Sequence, residues 1–187
     1  MRVIAGKFRS RVLKAPGRLR VRPTSDRLRE TLFNILGPAV EDSLFVDLYA
    51  GTGAIGIEAV SRGAREAIFV ESHAATAKLV RANLENLGVK TGIEVIEAPA
   101  LRGLEKLAAR HLIADFVFLD PPYENEDEYV SILEFLDASH LIAPSGLVIA
   151  EHHCKVELPE RLDRLERTRL LEQGDAALSF YRLAAAA

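Results

Sequence analysis

Short uninterrupted apolar runs punctuate this chain, and between them apolar residues return every three or four positions. Leu44-Phe45-Val46, Ala67-Ile68-Phe69-Val70, Phe116-Val117-Phe118-Leu119 and Leu147-Val148-Ile149-Ala150 show no polar alternation, the pattern of parallel strands buried on both faces. Helical spacing fills the gaps. Ala77, Val80, Leu84 and Leu87 share one face of a segment that stops at Gly88. Leu28, Leu32, Phe33, Ile35 and Leu36 stripe a helix that follows Pro23, with Thr24 or Ser25 as N-cap and Gly37-Pro38 as the stop. In order, strands are expected at about 44–48, 67–71, 93–97, 115–119 and 147–150, with helices at about 54–62, 73–87, 100–110 and 126–138. A closing pair at about 165–171 and 177–183 turns near Gly174-Asp175. This alternation predicts an α/β fold: a mostly parallel seven-stranded sheet, helices on both faces, and a C-terminal antiparallel hairpin. Before it, two short strands near 2–5 and 10–14 with a Pro16-Gly17 turn suggest a small N-terminal β-hairpin. The expected organisation is an arm (1–22), a sheet domain (23–183) and a short alanine tail (184–187).

Charge changes that picture more than composition does. The chain has 187 residues and a net charge of −3. Residues 1–40 hold ten Lys/Arg against Asp26 and Glu30, a net +8, which leaves −11 on the remainder. A basic arm on an acidic body is the footprint of a nucleic-acid partner. Arg2, Lys7, Arg9, Arg11, Lys14 and Arg22 are the candidate phosphate contacts, which raise affinity and salt dependence without selecting sequence. A solvated basic hairpin without a partner is the bland alternative. At this length a chain buries roughly 70% of its unfolded surface and needs no staples. A single cysteine, Cys154, excludes an internal disulfide. His152-His153-Cys154 is poorly spaced for tetrahedral ligation, so no metal is expected. No apolar stretch approaches ~18 residues, so a cytoplasmic protein without membrane contact is expected.

Two strand ends carry candidate chemistry. After Phe116-Val117-Phe118-Leu119 come Asp120-Pro121-Pro122-Tyr123, at the carboxyl end of a strand where open α/β sheets bind ligands. The prolines stiffen the turn. Asp120 and the neighbouring carbonyl can accept hydrogen bonds from a planar NH2 group, and Tyr123 can stack on the ring that bears it. The other end is Asp47, followed by Gly51-Thr52-Gly53-Ala54-Ile55-Gly56. This matches the dinucleotide fingerprint, a weak signal alone. Asp47 stands four positions before Gly51, where it would repel a pyrophosphate but suit an ammonium, so a dehydrogenase is a poor reading. Glu71 lies twenty residues after Gly51, where an acid takes ribose hydroxyls. Together these residues describe a site for a nucleoside joined to an amino acid, as in S-adenosylmethionine.

Asp47 to Gly56, Ser61-Arg62-Gly63-Ala64 and Asp120 to Tyr123 resemble a class I S-adenosylmethionine-dependent methyltransferase. Arg2-Val3-Ile4-Ala5-Gly6-Lys7-Phe8-Arg9-Ser10-Arg11 and the block from Arg22-Pro23-Thr24 to Thr31-Leu32-Phe33-Asn34 are similar to the RsmD family, over nearly the whole chain. That resemblance implies a Rossmann-like class I methyltransferase fold. It implies methylation of N2 of a guanine in 16S rRNA, guanine 966 in the usual rRNA numbering. The enzyme is expected to work as a monomer on rRNA within the small subunit or an assembly intermediate. Cofactor contacts are expected at Asp47, Ala50, Gly51, Thr52, Gly53, Ala54, Glu71, Ser72, Ala100 and Leu101, and catalysis at Asp120, Pro121, Pro122 and Tyr123.

The chain departs from the family in two places. Ala5-Gly6 stands where a glycine pair is usual, which predicts a first turn that is tighter or less adaptable. Pro99 stands where relatives often place an Asp or Asn against the adenine amine. That leaves backbone groups, Ala100 and Leu101 packing, or Glu97 to hold adenine. Adenine-N6 methylation of DNA and methylation of a protein glutamine are the nearer alternatives, because the Asp-Pro-Pro-Tyr turn alone does not separate them. A non-catalytic RNA-binding or assembly protein is the more distant one.

Overall fold

A computed structural model describes residues 1–15, 25–122 and 126–184. Pro16, Gly17, Arg22, Thr24 and Tyr123 therefore lie outside the described residues. The chain divides into two compact units, Met1–Pro99 and Ala100–Ala187. The strands make a mostly parallel seven-stranded sheet, running β3-β2-β1 in the first unit and β4-β5-β7-β6 in the second.

In the first unit, α1 (Asp26–Leu36) starts at Ser25, whose hydroxyl accepts from the Leu28 amide at 3.1 Å. It ends at Gly37 (φ 56), and Phe33 stacks on Phe45. β1 (Leu44–Asp47), β2 (Glu66–Glu71) and β3 (Ile93–Glu97) pair in parallel, Phe45 opposite Ala67 and Ile68 opposite Glu94. α2 (Ala54–Ser61) and α3 (Ala74–Asn86) connect them. β1 is buried throughout, as its unbroken apolar run requires. All eight residues of α2 are buried, Glu58 included.

The arm differs from the expected hairpin. Neither 2–5 nor 10–14 forms a strand; one antiparallel bridge, Arg2 to Val12, joins them around a short 3₁₀ turn, Gly6–Phe8. Val3 and Leu13 still donate across the turn to the Arg11 and Met1 carbonyls at 2.9 and 3.0 Å, but the neighbouring backbone groups go outside the arm. Glu58 accepts from the Ile4 and Ala5 amides at 2.8 and 3.0 Å, and Asn83 takes the Lys14 amide at 2.8 Å. Val3 and Leu13 are buried with Ile57, Val60, Val80 and Leu84. The arm is thus built into the first unit's core.

In the second unit, α4 (Ala100–Ala109), β4 (Ala114–Leu119) and α5 (Glu126–Ala138) match the expected order. β5 spans Ile142–His153, far beyond the expected 147–150. Its register slips between the Ala114–Ile142 and Phe116–Leu147 pairs, so Pro144-Ser145-Gly146 is an irregularity within the strand and not a loop before it. β6 (Leu165–Gln173) and β7 (Ala176–Leu183) form the antiparallel hairpin, with Gly174 (φ 64) opening its two-residue turn.

Candidate functional site

The loop after β1 is held from several sides. Gly51 (φ 54) and Gly53 (φ 80) are both left-handed, a conformation that costs glycine nothing. The Glu71 carboxylate, at the end of β2, accepts from the Gly51 amide at 3.0 Å and the His73 amide at 2.8 Å. Ala50 donates to the Val70 carbonyl at 3.0 Å. Thr52 is buried, and its carbonyl accepts from Asn83 at 2.9 Å. Gly56 packs so closely on Phe69 that a Cβ there would enter the ring, which fixes α2 against β2 at the loop's exit.

Asp47 accepts from the Gly56 amide at 3.0 Å and is 1% exposed. Burial pushes its carboxyl up to about 7; the Gly56 amide opposes that shift and the Glu71 charge adds to it. A cation placed at this strand end would bring the group back to its ionised form. Each Glu71 oxygen accepts one described amide, and a carboxylate oxygen has lone pairs for a second donor. Bare left-handed backbone, a carboxyl awaiting a positive partner and a strand-end carboxylate with acceptor capacity fit an adenosyl amino acid.

The remaining expected cofactor residues are less engaged. Ser72 is exposed and meets the His73 ring at 3.0 Å. Glu97 faces Arg81 at 4.0 Å, and Pro99 is exposed. Ala98 donates to the Glu71 carbonyl at 3.1 Å, which pins the end of β3 through backbone alone. In the second unit Ala100 is buried at the start of α4, Leu101 half-buried beside it.

The turn after β4 belongs to the second unit. Asp120 is half-buried, Pro121 buried and Pro122 exposed. Behind it stands Tyr129, fully buried on α5. Its hydroxyl donates to the Glu151 carbonyl at 2.8 Å and stands 3.5 Å from the Pro121 carbonyl. A phenol has one hydrogen to give, so Pro121 keeps acceptor capacity. Farther along β5, His152 is buried against the Ser179 hydroxyl at 2.9 Å, and burial holds its pKa below the usual imidazole range. No cluster able to hold a metal occurs among the described residues, and no helix there is long and apolar enough to cross a membrane.

The arm separates backbone from side chains. Arg2, Lys7, Arg9, Arg11 and Lys14 are exposed, while their backbone is clamped. Ser61 accepts from the Phe8 amide at 2.9 Å and donates to the Ala5 carbonyl. Gly6 (φ 77) has no room for a Cβ, which would strike the Ser61 carbonyl. Ala5 is extended and needs no glycine, so the departure from the usual pair leaves the turn intact.

Arg29, fully buried on α1, donates to the Arg2 carbonyl and to Asp26, and lies 4.0 Å from Glu58. Burial pulls its guanidinium below the ordinary value; Glu58 and Asp26 act against that. Sequence reasoning missed Arg29, Glu58, Asn83 and Tyr129. Signals existed: Glu58 is the lone charge in an otherwise apolar helix start, and Arg29, Asn83 and Tyr129 recur at helical spacing with the apolar residues of α1, α3 and α5.

The family model "Conserved hypothetical protein 95" matches residues 1–182. The Ribosomal RNA small subunit methyltransferase D of Escherichia coli K12 is 36% identical over 162 residues, 85% of this chain and 78% of that one. Its Haemophilus influenzae namesake is 34% identical over 185 residues, 98% and 92% of the two chains. Among solved structures, Escherichia coli yhhF superposes with a TM-score of 0.86 at 31% identity, covering 100% of this chain and 99% of that one.

Proposed function

The chain belongs to the RsmD family of class I S-adenosylmethionine-dependent rRNA methyltransferases, and on that premise we propose that its acceptor is the exocyclic N2 of one guanine in 16S rRNA, guanine 966. The observation that carries this reading is the pair of acceptors at the end of β4. Asp120 is accessible there, and the Pro121 carbonyl keeps acceptor capacity because the Tyr129 hydrogen goes to Glu151.

When bound, S-adenosylmethionine supplies an electrophilic methyl on a sulfonium. Asp47 would hold the ammonium and Glu71 the ribose, with Gly51, Thr52, Gly53 and Ala54 lining the stretch between them. Ala100 and Leu101 would pack on the adenine, which Pro99 leaves to apolar and backbone contacts. The protein's task is then to orient the acceptor. A guanine N2 lone pair is delocalised into its ring. Asp120 and the Pro121 carbonyl accept the two N–H bonds and turn that lone pair outward. Tyr123 stacks on the base, Pro122 holds the turn stiff, and Asp120 takes the proton that the amine gives up. A base reached in this way is out of its stack, at a cost of about a few kcal/mol when it must be flipped. Arg2, Lys7, Arg9, Arg11, Lys14 and Arg22 hold phosphates of the rRNA, in a cytoplasmic small subunit or its assembly intermediate.

The test uses radiolabelled S-adenosylmethionine and small subunits from cells lacking the modification, with the labelled nucleotide mapped. Label at one guanine N2 is expected. Label on DNA adenine or on protein, with none on the subunit, would overturn the assignment.

A further inference from the structure

Asn83 sits on the inner face of α3 beside Val80 and Leu84, 1% exposed. An apolar residue would suit that face, so a buried amide calls for a reason. Its Oδ1 accepts from the Lys14 amide at 2.8 Å. Its Nδ2 donates to the Lys14 carbonyl at 3.1 Å and to the Thr52 carbonyl at 2.9 Å. Both amide hydrogens are used, on two separate segments: the exit of the basic arm and the middle of the glycine loop. A carboxamide is planar, so a rotation that follows one segment loosens its grip on the other.

Thr52 lies between two left-handed glycines, and its carbonyl receives its described hydrogen bond from the Asn83 side chain. Lys14 has both backbone groups taken by Asn83, while its side chain is exposed. A second thread runs parallel: the Thr52 hydroxyl meets the Met1 sulfur at 3.4 Å, and the Met1 carbonyl accepts the Leu13 amide at 3.0 Å. The loop and the arm are therefore tied at two points, and the stronger tie is one side chain.

We propose that Asn83 is a positioning residue that couples the two substrates. RNA held by the arm fixes Lys14, which through Asn83 fixes the Thr52 carbonyl and tightens the cofactor loop. By linkage, cofactor on the loop tightens RNA on the arm by the same factor. The coupling rests on the reading given above, in which the loop takes S-adenosylmethionine and the arm takes rRNA.

The experiment is a binding cycle with full-length protein. Affinity for S-adenosylhomocysteine is measured with and without unmodified small subunits, for wild type and for Asn83→Leu and Asn83→Asp. Wild type should bind the cofactor product about five-fold or more tightly when the subunit is present. Both variants should lose that ratio, to within about two-fold, whatever happens to either affinity alone; a merely structural asparagine would shift affinities and leave the ratio intact. Both ligands binding to wild type without influencing each other would overturn the coupling and leave the functional reading standing. Failure of wild type to bind either ligand would overturn both. Should the variants not fold, amide exchange in wild type decides. S-adenosylhomocysteine alone should slow exchange at Lys14 and leave Tyr181 on β7 unchanged, and an unaltered Lys14 rate would sink the proposal.

Discussion

The loop after β1 and the turn after β4 both follow parallel strands, yet opposite means hold them in shape. The loop contains glycines, residues with the most conformational freedom to lose. Its geometry is imposed from outside by Asp47, Glu71 and Asn83. The turn carries its restraint inside, in two proline rings, with a tyrosine hydroxyl behind it. Loop geometry is therefore borrowed, from two carboxyls that also line the site and from Asn83, which does not. Turn geometry is intrinsic. Damage to the loop's clamps should appear in cofactor affinity, and damage to the turn should appear in turnover.

The largest contrast is Asp120→Ala against Glu71→Ala. The first should abolish methyl transfer and leave the cofactor dissociation constant within about two-fold. The second should weaken cofactor binding about ten- to a hundred-fold, or about 1.4–2.7 kcal/mol. Calorimetric titration with S-adenosylhomocysteine beside single-turnover assays separates them; a large affinity loss in the Asp120 variant would erase the distinction.

Asp47 offers a pH test of the loop. Its carboxyl is raised from 3.8 to about 7 by burial, so the folded state holds a proton that the unfolded chain has already released. The stability this confers is complete below pH ~4 and is lost as pH rises towards 7, with a slope of up to about 1.4 kcal/mol per pH unit. Asp47→Asn, which cannot ionise, should remove that slope from the cofactor-free protein in denaturant titrations between pH 4 and 8. Cofactor binding near pH 6 should also release a proton in wild type. Binding heats that do not depend on the buffer's ionisation enthalpy would contradict this.

Tyr129→Phe probes an outside support of the turn, the hydroxyl that holds the Glu151 carbonyl behind Pro121. It should lower kcat several-fold, cost about 1 kcal/mol of stability, and leave cofactor affinity alone. The smallest effect belongs to Pro122→Ala. Pro122 is exposed, and with the Pro121 ring still restraining the turn its loss should cost about 0.4–1 kcal/mol. A kcat loss larger than that of Tyr129→Phe would show that the second ring positions the base.

What the sequence disclosed follows the same division. The strands β1, β2, β4 and the core of β5 were legible because strands buried on both faces are apolar throughout. The glycine loop and the proline turn were legible because glycine and proline act on their own backbone. The clamps were not. Glu58, Asn83 and Arg29 fall on the apolar faces of their helices, which marks them for burial, but helical spacing does not say which backbone groups of another segment they meet. The arm was over-read as two strands because a turn signal does not say how far pairing runs: one bridge, Arg2 to Val12, forms, and the amides of Ile4, Ala5 and Lys14 are held by Glu58 and Asn83 instead. Pro144-Ser145-Gly146 has the composition of a loop, and only the slipped register with β4 shows that the strand runs through it.

The fastening of residues 1–15 has a kinetic consequence. Up to Leu13 their backbone is already tied to Glu58, Ser61 and Met1, which leaves Lys14 on Asn83 as the adjustable point, so this stretch has little ordering entropy to give up when it meets a polyanion. Association through it should be a salt-steered collision of preformed surfaces, with a rate that falls steeply as ionic strength rises. It should also carry a small heat-capacity change, unlike the large negative one of a segment that folds as it binds.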